Sequence, residues 1–86
     1  MNAAPLVRIL HLEDDPRDAE LIRTLLESEG IEARLDLVHT GGAFQAALRE
    51  ESYDLVLADY LIPGYGGCDA LRFSQREMPA VPFIMV

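Results

Sequence analysis

An acidic cluster and a lone aspartate stand at places where side chains can meet. Glu13, Asp14 and Asp15 follow directly on the apolar run Val7-Arg8-Ile9-Leu10-His11-Leu12, and Asp59 follows Tyr53-Asp54-Leu55-Val56-Leu57-Ala58. Carboxylates gathered in one pocket repel one another unless a proton is kept or a cation is present. A donor set made only of oxygen suits a hard ion such as Mg2+, which takes one or two carboxylates, several waters and a phosphate. A carboxylate beside such an ion can also act as a nucleophile in phosphoryl transfer and become an aspartyl-phosphate. Asp59 suits that part, because Ile62-Pro63-Gly64-Tyr65-Gly66-Gly67 leaves room and backbone amides after it. The loop lacks the GK[ST] ending of a nucleotide-binding P-loop. Acids at strand ends can instead face solvent or cap a helix. Asp15 fits that plainer role.

The elements that must position these residues can be read from pattern. Val7–Leu12 reads as a strand buried on both faces, as in a parallel sheet. Asp15-Pro16-Arg17-Asp18 reads as a helix start, with Asp15 as N-cap, Pro16 in the first position and Asp18 near the positive end of the dipole. Ile22, Leu25 and Leu26 continue that helix on one stripe, and Gly30 ends it. Ala33 to Val38 forms a second strand, and Thr40-Gly41-Gly42 breaks the chain before a helix carrying Phe44, Ala47 and Leu48. Tyr53 to Ala58 is the third strand, a helix with Ala70 and Leu71 runs to about Glu77, and Val81 to Val86 is the fourth. This βαβαβαβ order implies an α/β fold with a parallel sheet, right-handed crossovers and helices on both faces. In a doubly wound sheet of order 2-1-3-4 the crevice between the carboxyl ends of strands 1 and 3 is the switch point where ligands bind. Topology thus draws Glu13, Asp14 and Asp59 together.

With these pieces in place the sequence resembles the receiver domains of two-component response regulators. The resemblance rests on Leu10-His11-Leu12-Glu13-Asp14-Asp15-Pro16 with Ala19-Glu20-Leu21-Ile22, on Tyr53 to Gly64 with Gly67, and on Val81-Pro82-Phe83-Ile84-Met85-Val86. It implies a three-layer, flavodoxin-like sheet of order 2-1-3-4 in which the usual fifth strand is missing. It implies Asp59 as phosphoacceptor and Asp14 as a direct metal ligand, beside Asp59 itself. Glu13 would act on the metal through water, the backbone carbonyl of Leu61 would complete the protein ligands, and Pro63 and Gly67 would shape the loop. The donor would be a phosphohistidine of a sensor histidine kinase or phosphotransfer protein, and the outcome a switched partner or output domain. Family members carry Ser or Thr after the fourth strand and Lys after the fifth. This sequence stops at Val86 and contains no lysine. The expectation is a domain over residues 7–86 behind a short tail, 1–6, with a fourth strand whose open edge invites homo-association.

Composition narrows the alternatives. Seven Arg and no Lys face fifteen Asp and Glu, a net charge of -8, which disfavours nucleic acid and anionic membranes as direct partners. The 86 residues hold one small domain. No apolar run reaches membrane-spanning length, so a cytoplasmic location is expected. One cysteine, Cys68, excludes an intrachain disulfide and reads as a small apolar helix residue. His11 and His39 lack the spacing of a zinc site; His11 reads as a packed strand residue, and Glu50-Glu51 as a solvated helix end. Tyr60 would lie at the mouth of the site, as surface packing. The competing functions are a receiver-like docking module that is never phosphorylated, and a phosphohydrolase of the haloacid-dehalogenase type. The latter places a second Asp two residues after the nucleophile, where this chain has Leu61. An enzyme is not expected, beyond self-phosphorylation from small donors and autodephosphorylation.

Overall fold

The computed structural model describes residues 6–86. Of the expected tail, residues 1–5 lie outside the described part. The chain runs β1 (Val7–Leu12), α1 (Pro16–Ser28), β2 (Ala33–Val38), α2 (Gly41–Glu50), β3 (Leu55–Ala58), α3 (Gly67–Glu77) and β4 (Phe83–Met85). All pairings are parallel and the strand order is β2-β1-β3-β4, as the sequence implies.

Because strand side chains alternate, β1 feeds two faces. Leu10 and Leu12 sit opposite Val56 and Ala58 of β3 and join Phe44, Leu48, Ala70 and Phe73 of α2 and α3 in the main core. His11, whose partner in β3 is Leu57, turns to the other face, where it lines a cavity with Leu21 and Ile22 of α1. The sheet is therefore covered on both sides, and a one-residue slip in β1 would exchange its two apolar sets.

Helix α1 starts where its caps demand. The Asp15 side chain accepts the Arg17 amide at 2.9 Å, Pro16 supplies a preset φ, and Gly30 at φ +72° provides the left-handed exit. Its stripe is narrower than expected. Ile22 and Leu26 are half-buried, whereas Leu25 is 51% exposed, together with Leu21 on the next turn.

Other expectations need correction. Gly41 and Gly42 do not break the chain; they form the first turn of α2, whose N-cap Thr40 accepts the Ala43 amide at 3.1 Å. Strand β3 starts at Leu55 and not at Tyr53, because the Arg8 amide of β1 is taken by the Asp54 side chain and not by a backbone carbonyl. Asp54 exchanges two bonds with Arg8 (2.8 and 2.9 Å), and the Tyr53 hydroxyl donates to Asp36 at 2.7 Å. Strand β4 is likewise short, since Pro82 has no amide to donate and only its carbonyl takes part, accepting from Val56 at 2.9 Å. Cys68 lies on a helix as expected, exposed in the first turn of α3. Glu51 is no idle helix end: it pairs with Arg8 at 3.4 Å and Arg34 at 3.3 Å and lies 3.1 Å from the Tyr53 hydroxyl.

Candidate functional site

The register of the central strands builds the site. Leu12 is level with Val38 on one side and Ala58 on the other, so the next residues leave the sheet side by side. The Glu13 amide still donates to Val38 at 3.0 Å, and the Asp59 amide donates to the Leu12 carbonyl at 3.0 Å. Both acids thus leave the sheet from fixed backbone. Glu13, Asp14 and Asp59 each offer a carboxylate oxygen, and these oxygens lie within 4.8 Å of one another. The juxtaposition inferred from topology is present.

The three acids differ in surroundings. Glu13 is only 3% exposed, Asp59 is half-buried and Asp14 faces solvent. One Glu13 oxygen accepts the Asp15 amide at 3.1 Å. Burial pushes the Glu13 carboxyl up to about 7, and the negative charge and close approach of Asp59 and the charge of Asp18 act in the same direction; the Asp15 amide opposes them. Asp59 is held by the Leu61 amide, which donates to its Oδ1 at 3.2 Å. Leu61 therefore stands beside the cluster with its side chain exposed. Tyr60 is also exposed, and its backbone bridges the loop: its amide donates to Val86 at 3.0 Å and its carbonyl accepts from Gly67 at 3.1 Å.

Two glycines allow this loop. Gly64 adopts φ +78°, a conformation that L side chains rarely take. A Cβ on Gly67 would lie 3.0 Å from the Asp59 carbonyl oxygen and 3.1 Å from the Tyr60 Cα, so α3 packs directly against the acid-bearing segment. Tyr65 closes the loop against α2. Its ring lies where a side chain on Gly41 would be, and its hydroxyl accepts from Gln45 at 3.1 Å.

A cavity of about 230 Å³ opens beside the acids, bounded by His11, Glu13, Asp18, Ile22, Asp59 and Val86. His11 is buried, as expected of a packed residue, and burial holds its pKa down against the pull of Asp59 and Asp18. Its Nδ1 has no partner among the described residues. Two contributions were not anticipated. Asp18 adds negative charge from the first turn of α1, and its position as an N3 acid was the available signal. The other comes from His39, whose Nδ1 lies 3.0 Å from the Glu13 carbonyl oxygen; a carbonyl only accepts, so that nitrogen carries the proton. No spacing rule connects residues so far apart in the chain.

Comparison with known proteins fits this geometry. A family model described as the response regulator receiver domain matches residues 9–86. The chain belongs to that family. Among curated proteins, the receiver resembles the DNA-binding response regulator MtrA of Mycolicibacterium smegmatis, 35% identical over 79 residues that cover 92% of this chain and 33% of MtrA. It also resembles the sensor protein GacS of Pseudomonas syringae, 34% identical over 82 residues, 90% of this chain and 9% of GacS. The chain thus spans a third or less of the length of these relatives. Among solved structures, the receiver domain of sensor histidine kinase PA1611 from Pseudomonas aeruginosa superposes with a TM-score of 0.80 at 29% identity, over 94% of this chain and 66% of that one. That structure holds a magnesium ion in its active site cleft. The response regulator TrrA of Thermotoga maritima, in complex with Mg2+-BeF, gives a TM-score of 0.81 at 28% identity, over 92% and 67% of the two chains. The donor set here fits the same ion: three carboxylates, oxygen only, one of them exposed enough to keep water on the metal. No described helix is long and apolar enough to cross a membrane.

Proposed function

We propose that residues 7–86 act as a phosphoacceptor module in which Asp59 takes a phosphoryl group in the presence of Mg2+. One observation carries this reading: carboxylate oxygens of Glu13, Asp14 and Asp59 converge within 4.8 Å at the switch point of the sheet. Asp14 and Asp59 would bind the ion directly, Glu13 through water, and Leu61 through its backbone carbonyl. When bound, Mg2+ neutralises the acids and the charge on the phosphoryl oxygens.

The chain's own residues do the rest. The Leu61 amide fixes one oxygen of Asp59, which leaves the other for attack at phosphorus. Gly64 supplies the positive φ that the loop turns on, and Gly67 lets α3 lie close to the Asp59 segment with no side chain in the way. The phosphoryl group moves from a donor phosphohistidine to the Asp59 oxygen: the P–N bond breaks, the P–O bond forms, and the imidazole leaves. The donor is a sensor histidine kinase or phosphotransfer protein. The likenesses to a response regulator and a sensor kinase support that class of partner, and a cytoplasmic location accords with it. Turnover is limited to self-phosphorylation from small donors and slow autodephosphorylation.

Incubation with acetyl phosphate and Mg2+, followed by intact mass measurement, tests the reading. The expected result is a gain of one phosphoryl group, lost with Asp59→Asn or with a chelator. An unchanged mass would favour a docking module that is never phosphorylated. Homo-association through β4 belongs to the same reading. Among the described residues β4 pairs only with β3, and Ile84 and Val86 are exposed along it. A single monomeric species in sedimentation at every concentration would remove it.

A further inference from the structure

We propose that the groove between α2 and α3 is a docking surface for an acidic, extended segment of a partner protein. The groove, about 400 Å³, is walled by Gln45, Tyr65, Asp69, Arg72, Phe73 and Arg76. Its charge runs against that of the chain. Of the seven arginines, five contact a carboxylate: Arg8 with Glu51 (3.4 Å), Arg17 with Asp15 (3.2 Å), Arg23 with Glu20 (3.7 Å), Arg34 with Asp36 (3.1 Å) and Arg49 with Glu77 (2.8 Å). Arg72 and Arg76 have no such partner among the described residues, although the chain carries twice as many acids as bases. They stand one turn apart on α3 and share a face.

Nearby acids are engaged elsewhere. Asp69 accepts the Gly66 amide at 3.1 Å and caps α3. Glu77 gives its short contact to Arg49 and feels Arg76 only at longer range. The Arg76 guanidinium lies 5.5 Å from the centre of the buried Phe73 ring, which helps to orient it. Across the groove, Gln45 donates to the Tyr65 hydroxyl and keeps its amide oxygen and a second N–H for a peptide backbone.

The spacing favours a peptide over a small anion. Side chains at i and i+4 of a helix begin about 6 Å apart. Residues i and i+2 of an extended segment project to one side about 6.6 Å apart. Alternate Asp or Glu residues would therefore each meet one guanidinium, a geometry that favours paired N–H donation. A short acidic segment need place only the carboxylates that meet Arg72 and Arg76, whereas nucleic acid would bring a long run of further phosphates against a chain of net charge -8. Since Gly64 and Tyr65 belong to the loop that leaves Asp59, an occupant would rest on the segment bearing the proposed phosphoacceptor.

The test uses a fluorescein-labelled peptide of alternating Glu and Gly, titrated into the full chain at low salt and followed by anisotropy. Saturable binding is expected, at least about tenfold weaker for Arg72→Gln/Arg76→Gln. Arg17→Gln/Arg23→Gln, which removes the same charge from α1, should bind as the parent does. Equal melting temperatures would show that both variants fold, and amide shifts should map to Gln45 and Tyr65. Absence of saturation, an equal loss in the α1 variant, or displacement of the labelled peptide by inorganic phosphate as readily as by the unlabelled peptide would overturn the proposal. So would a concentration-dependent dimer that disappears in Arg72→Gln/Arg76→Gln, which would make a second copy the occupant. None of these readouts depends on phosphorylation of Asp59.

Discussion

Replacing Glu13 with glutamine removes a charge that the metal-free fold opposes. Glu13 is 3% exposed, and its carboxyl rises from an ordinary 4.5 to about 7, chiefly through burial and then through Asp59 and Asp18. Each pH unit between those values is worth about 1.4 kcal/mol, so ionising Glu13 costs the native state roughly 3 kcal/mol. The sign follows from proton uptake. Between pH 4.5 and about 7 the folded carboxyl keeps a proton that the unfolded chain has released. This group's contribution is therefore complete below the lower value, declines as pH rises, and is gone above the upper one. Glutamine does not titrate. Urea unfolding followed by circular dichroism without divalent cations should give the parent and Glu13→Gln similar stabilities near pH 5. By about pH 8 the parent should be weaker by roughly 3 kcal/mol, a large part of the 5–15 typical of a domain. Magnesium should recover part of that difference for the parent and less for the variant, because only the parent presents the full acid set. Parallel stability curves between pH 5 and pH 8 would refute the reasoning, since Glu13 would then ionise in the fold as easily as in the open chain.

Gly67→Ala should shift the acid-bearing loop, because its Cβ would crowd the Asp59 carbonyl at 3.0 Å and the Tyr60 Cα at 3.1 Å, both backbone. A stability loss of about 1–3 kcal/mol and weaker magnesium binding in a calorimetric titration are expected. Phe44→Ala should cost about 3–5 kcal/mol, since Phe44 is fully buried between the sheet and Phe73, and chemical denaturation will read it directly.

What was legible in the sequence was local or periodic. Asp15, Pro16 and Gly30 mark the ends of α1 because a cap is chosen by the backbone within a few residues of it. The pattern of β1 announced a strand buried on both faces, and the acids beyond it stood out because a charge closing such a run has to be placed somewhere. Pairing between distant residues was harder to read. Nothing near Asp54 says that its side chain will take the Arg8 amide and leave β3 to begin at Leu55. Glu51 does end α2, but its ion pairs were not legible because the arginines that engage it lie on β1 and β2. Gly41 and Gly42 were misread as a break for a related reason: the space above Gly41 is filled by Tyr65, from a loop more than twenty residues later.

The candidate site itself was legible because it depends on topology and register more than on side-chain detail. Once β1 lies between β2 and β3, with Leu12 level with Ala58, the residues that follow those strands must emerge together whatever they are. Apolar residues there would have extended the core at no electrostatic cost. Instead three carboxylates meet, and the most buried of them is the one whose ionisation the fold resists. An arrangement that opposes its own folding is weak as a structural device. It becomes coherent when a divalent cation is available to be held, because the same repulsion that destabilises the bare cluster then favours the loaded one.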